Sequence, residues 1–211
     1  MAVLRLPPIY PITDKRLAGR ATHREIVREL IRGGARLIQI RDRTTTVAEL
    51  LDDLRRCVEL ADRHGARIVV NDRVDLALMS GAAGVHLGQD DLPPTAARRL
   101  LGSRRVIGFS THNLRQVRGA ARLPVDYIGF GPVFGTSTKS DTAPVVGLRG
   151  LRRACSVSTV PVAAIGGIGL EQVRAVLDAG ARSVAVISAV MAHPDLARRM
   201  EALLRAATET R

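Results

Sequence analysis

The chain has 211 residues, 46% hydrophobic and 25% charged, the balance of a globular protein and not of a disordered, collagenous or disulfide-scaffold chain. Lysine and arginine number 32 against 20 acids, and the net charge of +12 raises the question of a nucleic-acid partner. No run of five basic residues occurs, tryptophan is absent, and two tyrosines and three phenylalanines make no stacking platform; we expect a solvated basic surface that attracts anionic small molecules, not nucleic acid.

The first residues, MAVLRLPPIYPITD, meet Arg5 and two prolines before the apolar core of an export signal can form. No apolar run reaches the roughly 18 residues of a membrane span. The expectation is a soluble, cytoplasmic protein with no membrane contact. Short β-branched runs predict strands at Ile9–Ile12, Leu37–Arg41, Arg67–Asn71, Gly84–Leu87, Val106–Ser110, Tyr127–Gly131, Val160–Ile165 and Ser183–Ile187. Segments of helical period lie between them, among them His23–Ile31, Val47–Arg63, Leu114–Arg122, Leu170–Ala179 and Leu196–Ala206. Gly-Ala recurs before several strands (Gly34-Ala35, Gly65-Ala66, Gly180-Ala181), as a tight helix-to-strand turn requires. Cys57 and Cys155 have no CxxC or metal spacing and read as reduced thiols in or just beyond helices.

Eight strands alternating with helices predict a closed parallel (β/α)8 TIM barrel, an α/β fold occupying residues 1–211 as a single domain. An open doubly wound sheet would carry fewer strands and a glycine-rich first turn, and no GxGxxG or GxxxxGK[ST] occurs.

In such a barrel the chemistry sits in the loops after the strands. Period two in the second strand turns Gln39 and Arg41 toward the barrel axis. An inward arginine needs either an anionic ligand or an internal salt bridge to a neighbouring strand. The third and fourth strands are adjacent, so Asp72 and Asp91 can converge and suit a hard cation, most simply Mg2+; the other role open to such residues is capping the next helix. Asp90 and Asn113 read as such caps, and His86 as a packed strand histidine. Ser110 can offer a hydroxyl to a ligand. The loop after the sixth strand sets Thr136, Ser137, Thr138 and Ser140 around Lys139, which is phosphate-binding chemistry or an ordinary polar surface loop, and its length suggests a lid. Gly166-Gly167 and Ile187-Ser188 end the last two strands, where backbone N–H groups of many barrels hold phosphate. Two anion sites and one metal site at one end predict two phosphorylated substrates, or one carrying a diphosphate.

Seven segments in order then show a resemblance: YPITD at Tyr10–Asp14, QIRDR at Gln39–Arg43, NDRVDLA at Asn71–Ala77, GVHLGQDD at Gly84–Asp91, GPVFGTSTK at Gly131–Lys139, IGGI at Ile165–Ile168 and VISA at Val186–Ala189. The chain resembles the thiamine phosphate synthase family along its whole length. The resemblance implies a transferase that joins 4-amino-2-methyl-5-hydroxymethylpyrimidine diphosphate to the phosphorylated thiazole, or its carboxylated form, releasing pyrophosphate. It implies that Gln39, Arg41, Arg43, Asn71, Ser110 and Lys139 hold the pyrimidine diphosphate, with Arg41, Lys139 and Ser110 carrying the catalysis. It implies Mg2+ on Asp72 and Asp91. Thr136, Ser137 and Thr138, with the backbone at Gly167, Ile187 and Ser188, would take the thiazole phosphate. Two departures stand out: Asp42-Arg43 replaces the Glu-Lys usual in the family, and Gly135 stands where proline is common. A thiazole tautomerase relative shares the barrel and uses a histidine after the fifth strand, where His112 stands; it does not need the full diphosphate set. Exposed barrel helices leave a homo-oligomer possible.

Overall fold

The computed structural model describes residues 6–136 and 144–209. Eight short strands, β1 Ile9–Pro11, β2 Leu37–Ile40, β3 Arg67–Asn71, β4 Gly84–Leu87, β5 Val106–Thr111, β6 Tyr127–Phe130, β7 Val162–Ile165 and β8 Ser183–Val186, pair in parallel in the order β1-β8-β7-β6-β5-β4-β3-β2. The ring closes between its two ends through an Ile12–Gln39 bridge and the Thr13 N–H, which donates to the Gln39 carbonyl at 2.9 Å. The expected TIM barrel is therefore the observed architecture. Its strands are buried on both faces, which is why they read as nearly continuous apolar runs.

The helices are α1 Lys15–Ala18, α2 His23–Arg32, α3 Val47–Arg63, α4 Val74–Ser80, α5 Pro94–Leu101, α6 Leu114–Ala120, α7 Gly147–Val157, α8 Val173–Asp178, α9 Ser188–Met191 and α10 Leu196–Thr208. Local chemistry starts several of them: Thr22 with Glu25 and Thr46 with Glu49 form capping boxes on α2 and α3, and Asn113 caps α6 as predicted. The Asp90 cap is overturned. Helix α5 starts behind Pro93 with no side-chain cap, since Pro94 at its first position has no N–H to satisfy. No helix among the described residues is long and apolar enough to cross a membrane. Cys57 in α3 is buried and Cys155 in α7 half-buried, both free thiols pushed up by desolvation.

Strand ends differ by a residue or two for local reasons. The seventh strand starts at Val162 and not Val160, because the Ser158 hydroxyl takes up both the N–H and the carbonyl of Val160 and Pro161 has no N–H to offer. The second strand stops at Ile40, since the Arg41 N–H turns to the Thr13 hydroxyl at 3.2 Å. The predicted helix over 170–179 opens with a 3-10 turn, Leu170–Gln172, before α8.

Candidate active site

Asn71 on β3, His86 on β4, Gly108 on β5 and Tyr127 on β6 lie in register as one row across the barrel. The glycine in that row gives the rings on either side room to meet. The Tyr127 hydroxyl lies 2.9 Å from His86 Nδ1, and His86 Nε2 lies 2.9 Å from the Ser110 hydroxyl. From the other side Gln39 Nε2 donates to the Tyr10 hydroxyl at 3.0 Å, which is 2.9 Å from that of Tyr127. Burial pushes Tyr10 up to about 12, against its hydrogen bonds with Gln39 and Tyr127, and raises Tyr127 as well, so both phenols keep their protons. With Gln39 donating first, the arrangement in which every hydroxyl both accepts and donates runs Gln39, Tyr10, Tyr127, His86, Ser110. In that arrangement His86 accepts at Nδ1 and donates from Nε2 to the Ser110 hydroxyl.

These residues floor an open cleft at the C-terminal ends of the strands. Of the residues predicted from sequence, Gln39, Asn71, Ser110, Thr136, Gly167, Ile187 and Ser188 all line it. His86, Tyr10 and Tyr127 line it too and were not expected to; in particular His86 is not simply a packed strand histidine. The available signal was the pair of glycines, Gly108 and Gly129, on the two strands beyond it. A Cβ at 108 would overlap both the Tyr127 phenol and the His86 ring, and one at 129 would sit 3.2 Å from His86 Cε1. Gly108→Ala is therefore expected to cost about 1–3 kcal/mol and to lower turnover by forcing the rings apart. A thermal melt and a steady-state assay on the variant check both.

Gly166 and Gly167 adopt φ of 101° and 61°, and a Cβ at either would strike the backbone of the Pro132–Gly135 segment, so the β7 and β6 loops pack there as only glycine allows. Ile187 and Ser188 open α9, a four-residue helix inserted after β8.

Arg41, Arg43 and Asp72 stand just beyond the wall residues Gln39 and Asn71. Arg41 is half-buried, and its Nε is buried with no hydrogen-bond partner among the described residues. Desolvation and then the charge of Arg43 hold its guanidinium below the ordinary range, against Asp14 and Asp72. The internal salt bridge left open for Arg41 does not form among the described residues. Arg43, two-thirds exposed, reaches Asp72 at 3.7 Å. Asp72 is the one non-glycine residue with positive φ among those described, at 63°. Its N–H donates to the His86 carbonyl at 2.8 Å, which ties the β3 loop to β4. Asp91, in the loop after β4, accepts the Gly88 N–H on Oδ2 at 2.6 Å. Two carboxylates on neighbouring loops are hard oxygen donors that fit a divalent cation. The described residues assemble no cluster of three or more His, Cys, Asp or Glu, so such an ion would draw its remaining ligands from water or substrate oxygens, the usual habit of Mg2+. Ser137, Thr138 and Lys139 lie outside the described residues.

The family model described as thiamine monophosphate synthase matches residues 9–190. The chain belongs to this family. A thiamine-phosphate synthase of Albidiferax ferrireducens is 44% identical over 187 residues, covering 89% of this chain and 85% of the relative. One from Chloroflexus aurantiacus is 40% identical over 95% of this chain and 94% of its own. Among solved structures, thiamine phosphate pyrophosphorylase from Pyrococcus furiosus superposes with a TM-score of 0.87 at 37% identity, over 96% of each chain.

Asp42, which the sequence reading set apart from the family's usual motif, is held by a buried set of contacts. Its carboxylate, 2% exposed, ion-pairs with Lys15 at 2.9 Å and meets His23 Nε2 at 3.0 Å. Oδ1 accepts the N–H groups of Thr44 and Thr45 at 2.8 and 3.0 Å. Burial would raise its pKa, but the hydrogen bonds from Thr45, Thr44 and Lys15 outweigh it and hold the group far below the carboxylate range. His23 is displaced downward by burial, against the pull of Asp42. In both cases the unfolded chain binds more protons than the native one, so stability rises with pH across each window. Stability is expected to fall as pH drops below the ordinary histidine value of 6.5, and again as it drops past the ordinary carboxylate value of 3.8. Melting temperature against pH shows this as two steps, the first absent in His23→Leu and the second in Asp42→Asn.

Proposed function

We propose that the chain is a Mg2+-assisted thiamine phosphate synthase. It couples the pyrimidine diphosphate to the thiazole phosphate and releases pyrophosphate. The observation that carries this reading is the buried Arg41 Nε, without a hydrogen-bond partner among the described residues, beside a cleft walled by Gln39, Asn71 and Ser110: a donor with room for an anionic ligand.

Cleaving pyrophosphate from the methylene on the pyrimidine leaves a cation that the ring amino group stabilises, and the thiazole nitrogen attacks it. Such a reaction calls for no strong general base. It calls for neutralisation of the leaving group and alignment of the partners. Arg41, Arg43 and Lys139 would neutralise the diphosphate, while Gln39, Asn71 and the Ser110 hydroxyl would orient the pyrimidine. Thr136, Ser137 and Thr138, with the backbone at Gly167, Ile187 and Ser188, would hold the thiazole phosphate. Asp72 and Asp91 would hold Mg2+, which when bound supplies further charge neutralisation on the departing pyrophosphate. The solvated basic surface would draw both anions in, and the enzyme would work in the cytoplasm, as a monomer or homo-oligomer.

A second reading rests on His112, which lines the cleft with Nδ1 2.9 Å from the Gly131 carbonyl, where the tautomerase relative has its histidine. An end-point assay with both phosphorylated substrates, with and without chelator, separates the two. Thiamine phosphate formed only with Mg2+ is expected. Folded protein that forms none under either condition would favour the tautomerase.

A further inference from the structure

Behind the turn that carries Arg41 and Arg43 runs a buried set of hydrogen bonds that the reaction above does not use. His23, the first residue of α2 and 1% exposed, sits at its centre. On one side its Nε2 meets Asp42, whose carboxylate also takes Lys15 and the Thr45 hydroxyl on Oδ2, at 2.9 and 2.6 Å. On the other side Nδ1 lies 2.9 Å from the Thr13 hydroxyl, and that oxygen accepts the Arg41 N–H at 3.2 Å. The His23 backbone N–H is itself fixed by Asp53 of α3 at 2.7 Å.

The donors and acceptors match in one way. Asp42 is an acceptor only, so His23 donates from Nε2. The Thr13 oxygen accepts from Arg41, and its own buried proton finds an acceptor among the described residues only if His23 Nδ1 is bare. The imidazole is neutral and in its Nε2–H form. The peptide of Arg41 is thereby held from both sides: its N–H by Thr13, and the side chain of the next residue by His23, Lys15 and Thr45. A buried polar cluster is a poor source of stability, since well-packed apolar side chains of similar volume hold two elements together as well. What only this cluster supplies is the setting of one turn.

We propose that His23 is a positioning residue for the diphosphate end of the reaction, its neutral imidazole linking Asp42 to Thr13 so that Arg41 and Arg43 are set before the substrate arrives. This rests on the reading that Arg41 and Arg43 receive the diphosphate.

The test uses the full chain, with inorganic pyrophosphate and Mg2+ as the binding probe and steady-state kinetics for both substrates. In His23→Leu, shown folded by circular dichroism, pyrophosphate affinity and kcat are expected to fall about tenfold or more, since small misplacements of aligned groups are costly. The KM for thiazole phosphate is expected to stay within about twofold, and His23→Gln, which keeps a donor toward Asp42, to recover part of the loss. Should His23→Leu not fold, Thr13→Val carries the same selective expectation. In the wild type, nitrogen–proton correlation spectra of labelled histidine should show His23 bare at Nδ1. A wild-type His23 protonated at Nδ1, unchanged pyrophosphate affinity in the folded variant, or equal losses toward both substrates would each overturn the proposal. Arg41→Ala is the control for the underlying reading: if it leaves pyrophosphate binding intact, that reading fails first and the role of His23 with it, whereas loss in Arg41→Ala with none in His23→Leu condemns the His23 role alone.

Discussion

Arg41→Met is expected to melt slightly higher than the parent protein and to turn over about 10²–10³ times more slowly. The two halves of this prediction have one cause. A buried polar atom without a partner costs about 1–3 kcal/mol, and Arg41 Nε is such an atom. Its charge also sits beside that of Arg43, and burial together with that neighbour weakens its hold on the proton. Methionine keeps the aliphatic stem and removes the unmatched head, so about 1 kcal/mol should be recovered, roughly 2–4 °C for a domain of this size. The lost turnover is the electrostatic help withdrawn from the departing pyrophosphate. Calorimetry and kcat on the purified variant measure the two effects. A variant that loses both stability and activity would show that Arg41 serves the fold, and the assignment of the cleft would lose its principal support.

Asp72 gives the second large effect, and here the choice of substitution matters. Its φ of 63° lies in the left-handed region, which asparagine tolerates well and alanine poorly. Asp72→Asn should keep the backbone and remove the carboxylate. It is expected to lose at least about a hundredfold in turnover at low Mg2+ and to recover part of it as Mg2+ is raised, as a weakened ion site would. Asp72→Ala should add a stability loss of about 1 kcal/mol from the backbone alone. The ion pair with Arg43 does not explain such a loss: it is long, and Arg43 is two-thirds exposed, a setting in which pairs contribute about 0–1 kcal/mol. Asp91→Asn tests the other carboxylate while keeping an oxygen for the Gly88 N–H, and the same Mg2+-dependent loss is expected. A Mg2+ titration of each variant decides, since a loss that added metal does not touch would remove these residues from any metal site.

The barrel itself was legible in the sequence because parallel strands buried on both faces must be short, apolar and β-branched, and the helices between them announce their starts locally, as Thr22 and Thr46 do with Glu25 and Glu49. Much of the cleft wall followed from that, since period two and the ends of strands are enough to turn Gln39, Asn71 and Ser110 toward one opening. What stayed hidden depended on residues distant in the chain. His86 becomes part of the cleft floor only because Gly108 and Gly129, on two other strands, leave space for its ring. Asp42 reads as a departure in a motif until the fold brings Lys15 and His23 against it, and the Asp90 cap fails because Pro93-Pro94 had already started the helix without one. Strand and helix periods are set by neighbours along the backbone, so the sequence by itself determined the architecture and most of the cleft wall. Which polar groups share protons, which buried arginine nitrogen lacks a hydrogen bond among the described residues and which aspartate bends its backbone are set by contacts across the barrel, and only the tertiary structure could decide them.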